Sequence, residues 1–280
     1  MHATVQQMGP RDSDALRALL ARDVAHNLYL LGLLEDFGIA PQSGRQPFAY
    51  WGRFRRGELI SAMFVGGDGG LVVPSASEPE EISAIVEHLA GGGMRARACL
   101  GDAAAVEPIV QHLFSSKPRL NLAQRLFTAS ADDLGPFTNP TLRLAVEEDL
   151  PRLLPLAAEC VEETLRRDPI VEDPEGYRDR VLQRIRAHRT YVLELEGEIV
   201  FKIDVGSRSA YGAELEAPYT VPVERRRGHA TLCLGQISRQ LLSSLPRVTL
   251  RVNEHHESLG GVVRKVGYVS GKAQRLVVAD

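Results

Sequence analysis

Arg225-Arg226-Arg227-Gly228-His229-Ala230 is the stretch on which the reading of this chain turns. The run before it, Ala213-Glu214-Leu215-Glu216-Ala217-Pro218-Tyr219-Thr220-Val221, alternates apolar and polar side chains as a half-buried strand does. After it, Leu232, Leu234, Ile237, Leu241 and Leu242 recur at helical spacing and predict a helix over residues 231–245. A turn from strand into helix leaves backbone N–H groups without intrahelical acceptors, at the positive end of the helix dipole. An anion suits that place. Gly228 lets backbone approach a ligand without a Cβ in the way, Ala230 keeps the next turn small, and three arginines add charge. A basic, solvated helix start is the plainer alternative for the same residues.

Working outward, the chain passes twice through one pattern. A helix after Arg11-Asp12-Ser13-Asp14, capped by Asp12 or Ser13, opens the first pass. Strands at 48–54 and 59–65 follow, joined by a turn through Gly57-Glu58, and then a strand at 70–74 that ends on a proline. The second pass has a short strand at 142–146, a helix with Pro151 in its first turn, and strands at 190–195 and 199–205 joined through Gly197-Glu198. Its next strand, 214–222, also ends on a proline. Gly135, Pro136, Asn139 and Pro140 punctuate the seam, which gives domains at 1–135 and 140–280.

Composition sets outer bounds. The chain has 280 residues, enough for two medium domains, and is 44% hydrophobic and 25% charged, as globular chains are. The formal net charge of -3 lacks the basic excess of a general nucleic-acid binder. Cys99, Cys160 and Cys233 are odd in number, and no two are spaced as CxxC, so neither a disulfide framework nor a metal site is expected. Cys233 sits in an apolar run and reads as a small core residue. No basic-then-apolar leader and no span of membrane length is visible, so the expected setting is cytoplasmic, away from membranes.

Arg-x-x-Gly-x-Ala after a strand resembles the acyl-CoA signature of the GCN5-related N-acetyltransferase (GNAT) superfamily, Gln/Arg-x-x-Gly-x-Gly/Ala. Arg225, Gly228 and Ala230 fill its fixed places; Arg226, Arg227 and His229 fill its variable ones. The context agrees over residues 141–280. A strand at 247–252 and a helix at 254–266 follow, and Gly267-Tyr268 matches the family's Gly-Phe/Tyr exit into a last strand at 275–278. The resemblance implies a mixed α+β chain of two tandem GNAT-like domains, each a mostly antiparallel twisted sheet flanked by helices. It also implies acetyl-CoA as co-substrate, with its pyrophosphate on the 225–230 amides and its pantetheine arm along the backbone of Tyr219, Thr220 and Val221. Asn253 would bond the acyl-CoA at a strand end.

The first half is similar but weaker. Where the signature should stand it reads Ser75-Ala76-Ser77-Glu78-Pro79-Glu80-Glu81, with no basic residue, no glycine and three carboxylates. Such a half is expected to keep the fold and lack CoA binding. The string Arg22-Asp23-Val24-Ala25-His26-Asn27 adds to a likeness with bacterial tandem GNAT proteins that carry a degenerate N-terminal domain.

Acetyl transfer needs a deprotonated amine, so a general base is sought. Glu214 occupies the place of the base in several family members, and Glu216, two residues on and on the same strand face, is the second choice. Either could equally be an exposed strand carboxylate. The family's tyrosine, four residues before Gly-Phe/Tyr, is here Val263, which donates no proton. His255 and His256 could carry proton traffic instead, or the thiolate could leave unaided. The acceptor, a small-molecule or protein amine, should meet residues 159–189, which mix acids such as Glu162, Glu163 and Asp168 with arginines such as Arg166, Arg167, Arg178, Arg180, Arg184 and Arg186. A monomer or homodimer is expected. The competing reading is a CoA sensor or scaffold with little turnover.

Overall fold

The structure, a computed structural model, describes residues 3–41, 47–67 and 69–279. The first run of elements is β1 (Thr4–Gln7), α1 (Ser13–Leu20), α2 (Val24–Phe37), β2 (Phe48–Arg55), β3 (Glu58–Gly66), β4 (Leu71–Pro74), α3 (Pro79–Gly91), β5 (Ala98–Asp102), α4 (Ala103–Leu113) and β6 (Leu120–Ala129). The second is β7 (Arg143–Leu144), α5 (Leu150–Leu165), α6 (Pro169–Glu172), α7 (Pro174–Arg186), β8 (Thr190–Leu195), β9 (Glu198–Ser209), β10 (Gly212–Thr220), α8 (His229–Leu242), β11 (Val248–Asn253), α9 (Glu257–Val266) and β12 (Val269–Val278). Among the described residues no helix is long and apolar enough to cross a bilayer.

The two passes fold alike. In the first, β2, β3 and β4 form an antiparallel meander, and β4 pairs in parallel with β5 after a crossover through α3. In the second, β8, β9 and β10 form the meander, and β10 pairs in parallel with β11 after a crossover through α8. Both hairpins turn through two residues with positive φ, Arg56-Gly57 (53° and 82°) and Glu196-Gly197 (52° and 86°). Such a turn has the twist that joins antiparallel strands, which is why the two strings look alike. β1, unforeseen from sequence, pairs antiparallel with β2. Asp12 precedes α1, but its carboxylate accepts from the Gly9 N–H at 2.8 Å rather than from the helix.

Contacts group the chain into two compact units whose limits cross the repeat. One draws on Met1–Leu126, Arg251–His256 and Ser270–Asp280, the other on Phe127–Leu250 and Glu257–Val269. The last strand, β12, therefore completes the first unit, where Gln274 to Val278 run antiparallel to Asp102 to Ala98 of β5. Ile82, Ile85 and Val86 of α3, Val106 and Ile109 of α4, and Val277 of β12 fill that unit's core. In the second unit α5 and α7 bury Leu153, Ala157, Cys160, Val181 and Ile185 on Val192, Ile199 and Tyr219 of the sheet.

Gly267-Tyr268 owes its identity to packing in the second unit. Gly267 has φ +120°, and a Cβ there would lie 2.0 Å from the Asp133 carbonyl oxygen. Tyr268 is buried, with its hydroxyl 2.7 Å from Ser238 Oγ. Gly267→Ala adds backbone strain to a clash with main chain, and should cost about 2 kcal/mol or more. The urea midpoint of the variant, with an unchanged m-value, measures this.

Candidate active site

The 225–230 loop lies between β10 and α8. Gly228 is the residue before α8 and adopts φ +90°, ψ -4°. A Cβ there would meet nothing within 4 Å, so the conformation rather than crowding calls for glycine. Arg226 shares the left-handed region at φ 64°. Leu232 N–H returns to the Gly228 carbonyl at 3.1 Å, while the N–H groups from Arg226 to Ala230 donate to no described residue. The loop thus presents five consecutive amide donors at a helix N-terminus.

The arginines divide their work. Arg225 donates Nε to the Thr220 carbonyl at 2.9 Å and a terminal nitrogen to Glu163 Oε1 at 2.7 Å, and it lies over the Tyr219 ring. Burial opposes its charge, yet Glu163 raises its pKa further above the ordinary arginine range. Arg227 pairs with Glu224 at 3.0 Å, and His229 Nε2 lies 3.1 Å from the same carboxylate. Arg226 is exposed. The sequence reading gave all three arginines to the anion; two of them already hold the loop to its neighbours.

β10 carries the remaining candidates. Its parallel ladder with β11 spans Ala213–Leu215 against Val248–Leu250 and ends there. On the other edge β9 accompanies it to Thr220, with two offsets. Gly206 of β9 is the extra residue opposite Glu214/Leu215, and one extra β10 residue falls at Ala217-Pro218, where Ala217 has φ 49°. Glu214 is buried, paired in register with Ser207 and Thr249. Glu216 is half-buried, and its Oε1 forms an ion pair with Arg184 at 2.7 Å. Tyr219 is buried; its hydroxyl lies 3.0 Å from Glu159 Oε2 and 3.2 Å from Glu163 Oε1. Burial first, then the Glu159 hydrogen bond and the two carboxylate charges, push its pKa up, so it stays a phenol.

Solved structures share this architecture. No family model matches the chain, and no curated protein sequence does so significantly. A GCN5-related N-acetyltransferase from Sphaerobacter thermophilus superposes with a TM-score of 0.61, at 15% identity over 98% of this chain and 94% of that one. A GNAT-family acetyltransferase from Colwellia psychrerythraea gives 0.59, at 12% identity over 99% and 100%. A tandem GNAT protein from the clavulanic acid biosynthesis pathway gives 0.56, at 11% identity over 100% and 99%. The chain has the tandem GNAT fold. Its GNAT-like repeats place Ser75–Glu78 of the first pass where the second has the arginine loop.

That first GNAT-like loop is closed from within. The Ala76 N–H, an amide in the equivalent turn, donates to Asn27 Oδ1 at 2.7 Å, and Asn27 donates in turn to the Leu20 carbonyl. Ser75 Oγ accepts from the Ala62 N–H and contacts Ser77 Oγ. Asp23 meets His26 Nδ1 at 2.7 Å. The string at 22–27 is therefore a structural latch in this unit. Asn253 also has a partner in the first unit, the Gln124 amide at 2.7 Å, and His255 and His256 follow it there. Val263 is fully buried in α9. Burial raises all three thiols, Cys99 and Cys233 to about 12, which suits core residues better than nucleophiles. Among the described residues, no group of histidine, cysteine and acidic side chains could hold a metal.

The sequence reading missed a buried polar chain that ends on Arg184 of α7. Lys202 Nζ meets Asp204 Oδ2 at 2.5 Å; Asp204 also accepts from Thr190 Oγ1 at 2.8 Å and from Arg184 at 3.1 Å. Burial opposes the Asp204 charge, but Lys202, Arg184 and the hydrogen bonds more than offset it and hold the carboxyl below its ordinary value. The signal was available: Lys202 and Asp204 alternate with Phe201, Ile203 and Val205 in a central strand. Asp204→Asn leaves Lys202 buried without its counter-charge and should cost about 3–5 kcal/mol, whereas Lys202→Met with Asp204→Leu should recover most of that. A depressed carboxyl stabilises above its unfolded pKa of about 4 and loses that contribution as acid protonates it. The wild-type advantage over Asp204→Asn in urea melts should therefore shrink below pH 4.

Proposed function

We propose that this chain is an acyl-CoA-dependent N-acyltransferase, acting through the second GNAT-like repeat (residues 140–280) and moving an acetyl group from acetyl-CoA to a primary amine. The observation that carries this is the run of amide donors from Arg226 to Ala230 at the start of α8. Five successive N–H groups without an acceptor among the described residues, with Arg226 beside them, are a complement to a pyrophosphate. The short β10–β11 ladder supports the place assigned to the pantetheine arm, beside Tyr219, Thr220 and Val221. The titles of the similar structures, GNAT acetyltransferases among them, support the reaction class. The first repeat (residues 1–135), whose equivalent amide is taken by Asn27, serves as scaffold.

Glu214 is the proposed base. It takes a proton from the bound ammonium, directly or through water, and the freed nitrogen attacks the thioester carbonyl carbon. The C–N bond forms, the C–S bond breaks, and the proton that the acylated nitrogen sheds passes to the thiolate by way of solvent. Glu216 is less suited to the same task, because its carboxylate is already held by Arg184. The protein works in the cytoplasm on this reading.

Arg226→Glu should weaken acetyl-CoA binding at least about tenfold, since it replaces attraction at the phosphate by repulsion. Gly228→Val should do so more strongly by moving the amides. Calorimetry measures both, and unchanged affinity in the two variants together would overturn the cradle. Glu214→Gln should lower kcat by about 10²–10⁴ in a thiol-release assay while leaving acetyl-CoA affinity as it was.

A further inference from the structure

Arg184 and Glu216 form the outer end of the polar chain that starts at Lys202. Arg184 gives one terminal nitrogen to Asp204 at 3.1 Å and the other to Glu216 at 2.7 Å. The two contacts differ in kind. Asp204 is buried and also receives Lys202 and Thr190, so it anchors Arg184 from beneath. The Arg184–Glu216 pair faces outward, with side chains 46% and 31% exposed. Its niche is built into the strands. The β9 offset leaves Gly206 against Glu216, and a Cβ there would come within 2.4 Å of Glu216 Oε2.

A cation and an anion held side by side match a ligand whose own opposite charges sit on the same or adjacent carbons. We infer that the acceptor is an α-amino acid, or a molecule ending in that zwitterion, with its carboxylate on Arg184 and its amine on Glu216. This rests on the acyltransferase reading and adds the substrate class. On entry each protein group exchanges one counter-charge for another, so no charge loses compensation, and Arg184 keeps Asp204 throughout. A plain amine draws Glu216 away and offers Arg184 no anion in return. Glu214, two residues along β10 and so about 6–7 Å from Glu216 along the strand, brings its carboxylate within reach of the same nitrogen.

The test titrates each of the twenty protein amino acids into the CoA-bound chain by calorimetry, then assays thiol release with acetyl-CoA. Uncharged amino acids are paired with their decarboxylated amines. At least one amino acid should bind and exceed its amine in kcat/KM by about tenfold to a hundredfold, the worth of a charge-assisted carboxylate–arginine contact. Arg184→Gln should bring that ratio close to one, chiefly through KM, with acetyl-CoA affinity unchanged. Arg184→Lys keeps the charge but not the planar fork, and should recover part of it. The inference is overturned if amines without a carboxylate match their amino acids, if none of the twenty binds, or if Arg184→Gln leaves the ratio alone. Failure of acetyl-CoA itself to bind is a separate result; it overturns the acyltransferase reading and this inference with it.

Discussion

β10 must satisfy β9 along its whole length yet leave β11 after three residue pairs, and the second unit is arranged around that demand. Two single-residue offsets make it workable. The one at Gly206 opens the space that Glu216 fills. The other, at Ala217-Pro218, falls where proline has no N–H to give a ladder, and it returns Tyr219 to the face covered by α5, where Glu159 and Glu163 receive its hydroxyl. A bulge re-aims the side chains beyond it. The positions of Glu216, Tyr219 and, through Tyr219, Arg225 all follow from these offsets.

Charge in this region is mostly spoken for inside the protein. Glu163 holds Arg225, Glu224 holds Arg227, and Asp204 is shared by Lys202 and Arg184. An anion at the loop, as proposed, would consequently meet backbone dipoles more than free arginine charge. Such dipoles are fixed by the fold and need no reorganisation when a ligand arrives. Arg225 and Arg227 secure the loop to Glu163 and Glu224. The first repeat has the same strand-loop-helix path, and there an asparagine carbonyl supplies the acceptor instead.

Much of this was legible in the sequence, for identifiable reasons. The Gly57-Glu58 and Gly197-Glu198 strings advertised matching hairpins because each turn's second residue, at φ 82° and 86°, is a glycine, the residue that most readily takes that conformation. Arg225 to Ala230 was readable as a strand-to-helix turn because Gly228 and the periodicities on either side mark it locally. What stayed hidden depends on distant partners. Nothing local says that Asn27 reaches Ala76, that Arg184 pairs with Glu216, or that Lys202 and Asp204 are buried together. Strand ends shifted as well: the expected 199–205 strand extends to Ser209, and the expected 275–278 strand begins at Val269. Polar residues there obscure an extension that pairing enforces.

The membership of β12 in the first unit bears on how the chain is made. β5 faces β12 across five residue pairs, and these strands share a core with α3 and α4 through Cys99 and Val277. A ribosome delivers β1 to β5 early and β12 more than a hundred and fifty residues after β5. The N-terminal repeat must therefore wait, with an open sheet edge beside β5, until residues 270–278 have been synthesised. The two repeats cannot mature as beads on a string; completion of the first is a late event in the biogenesis of the second.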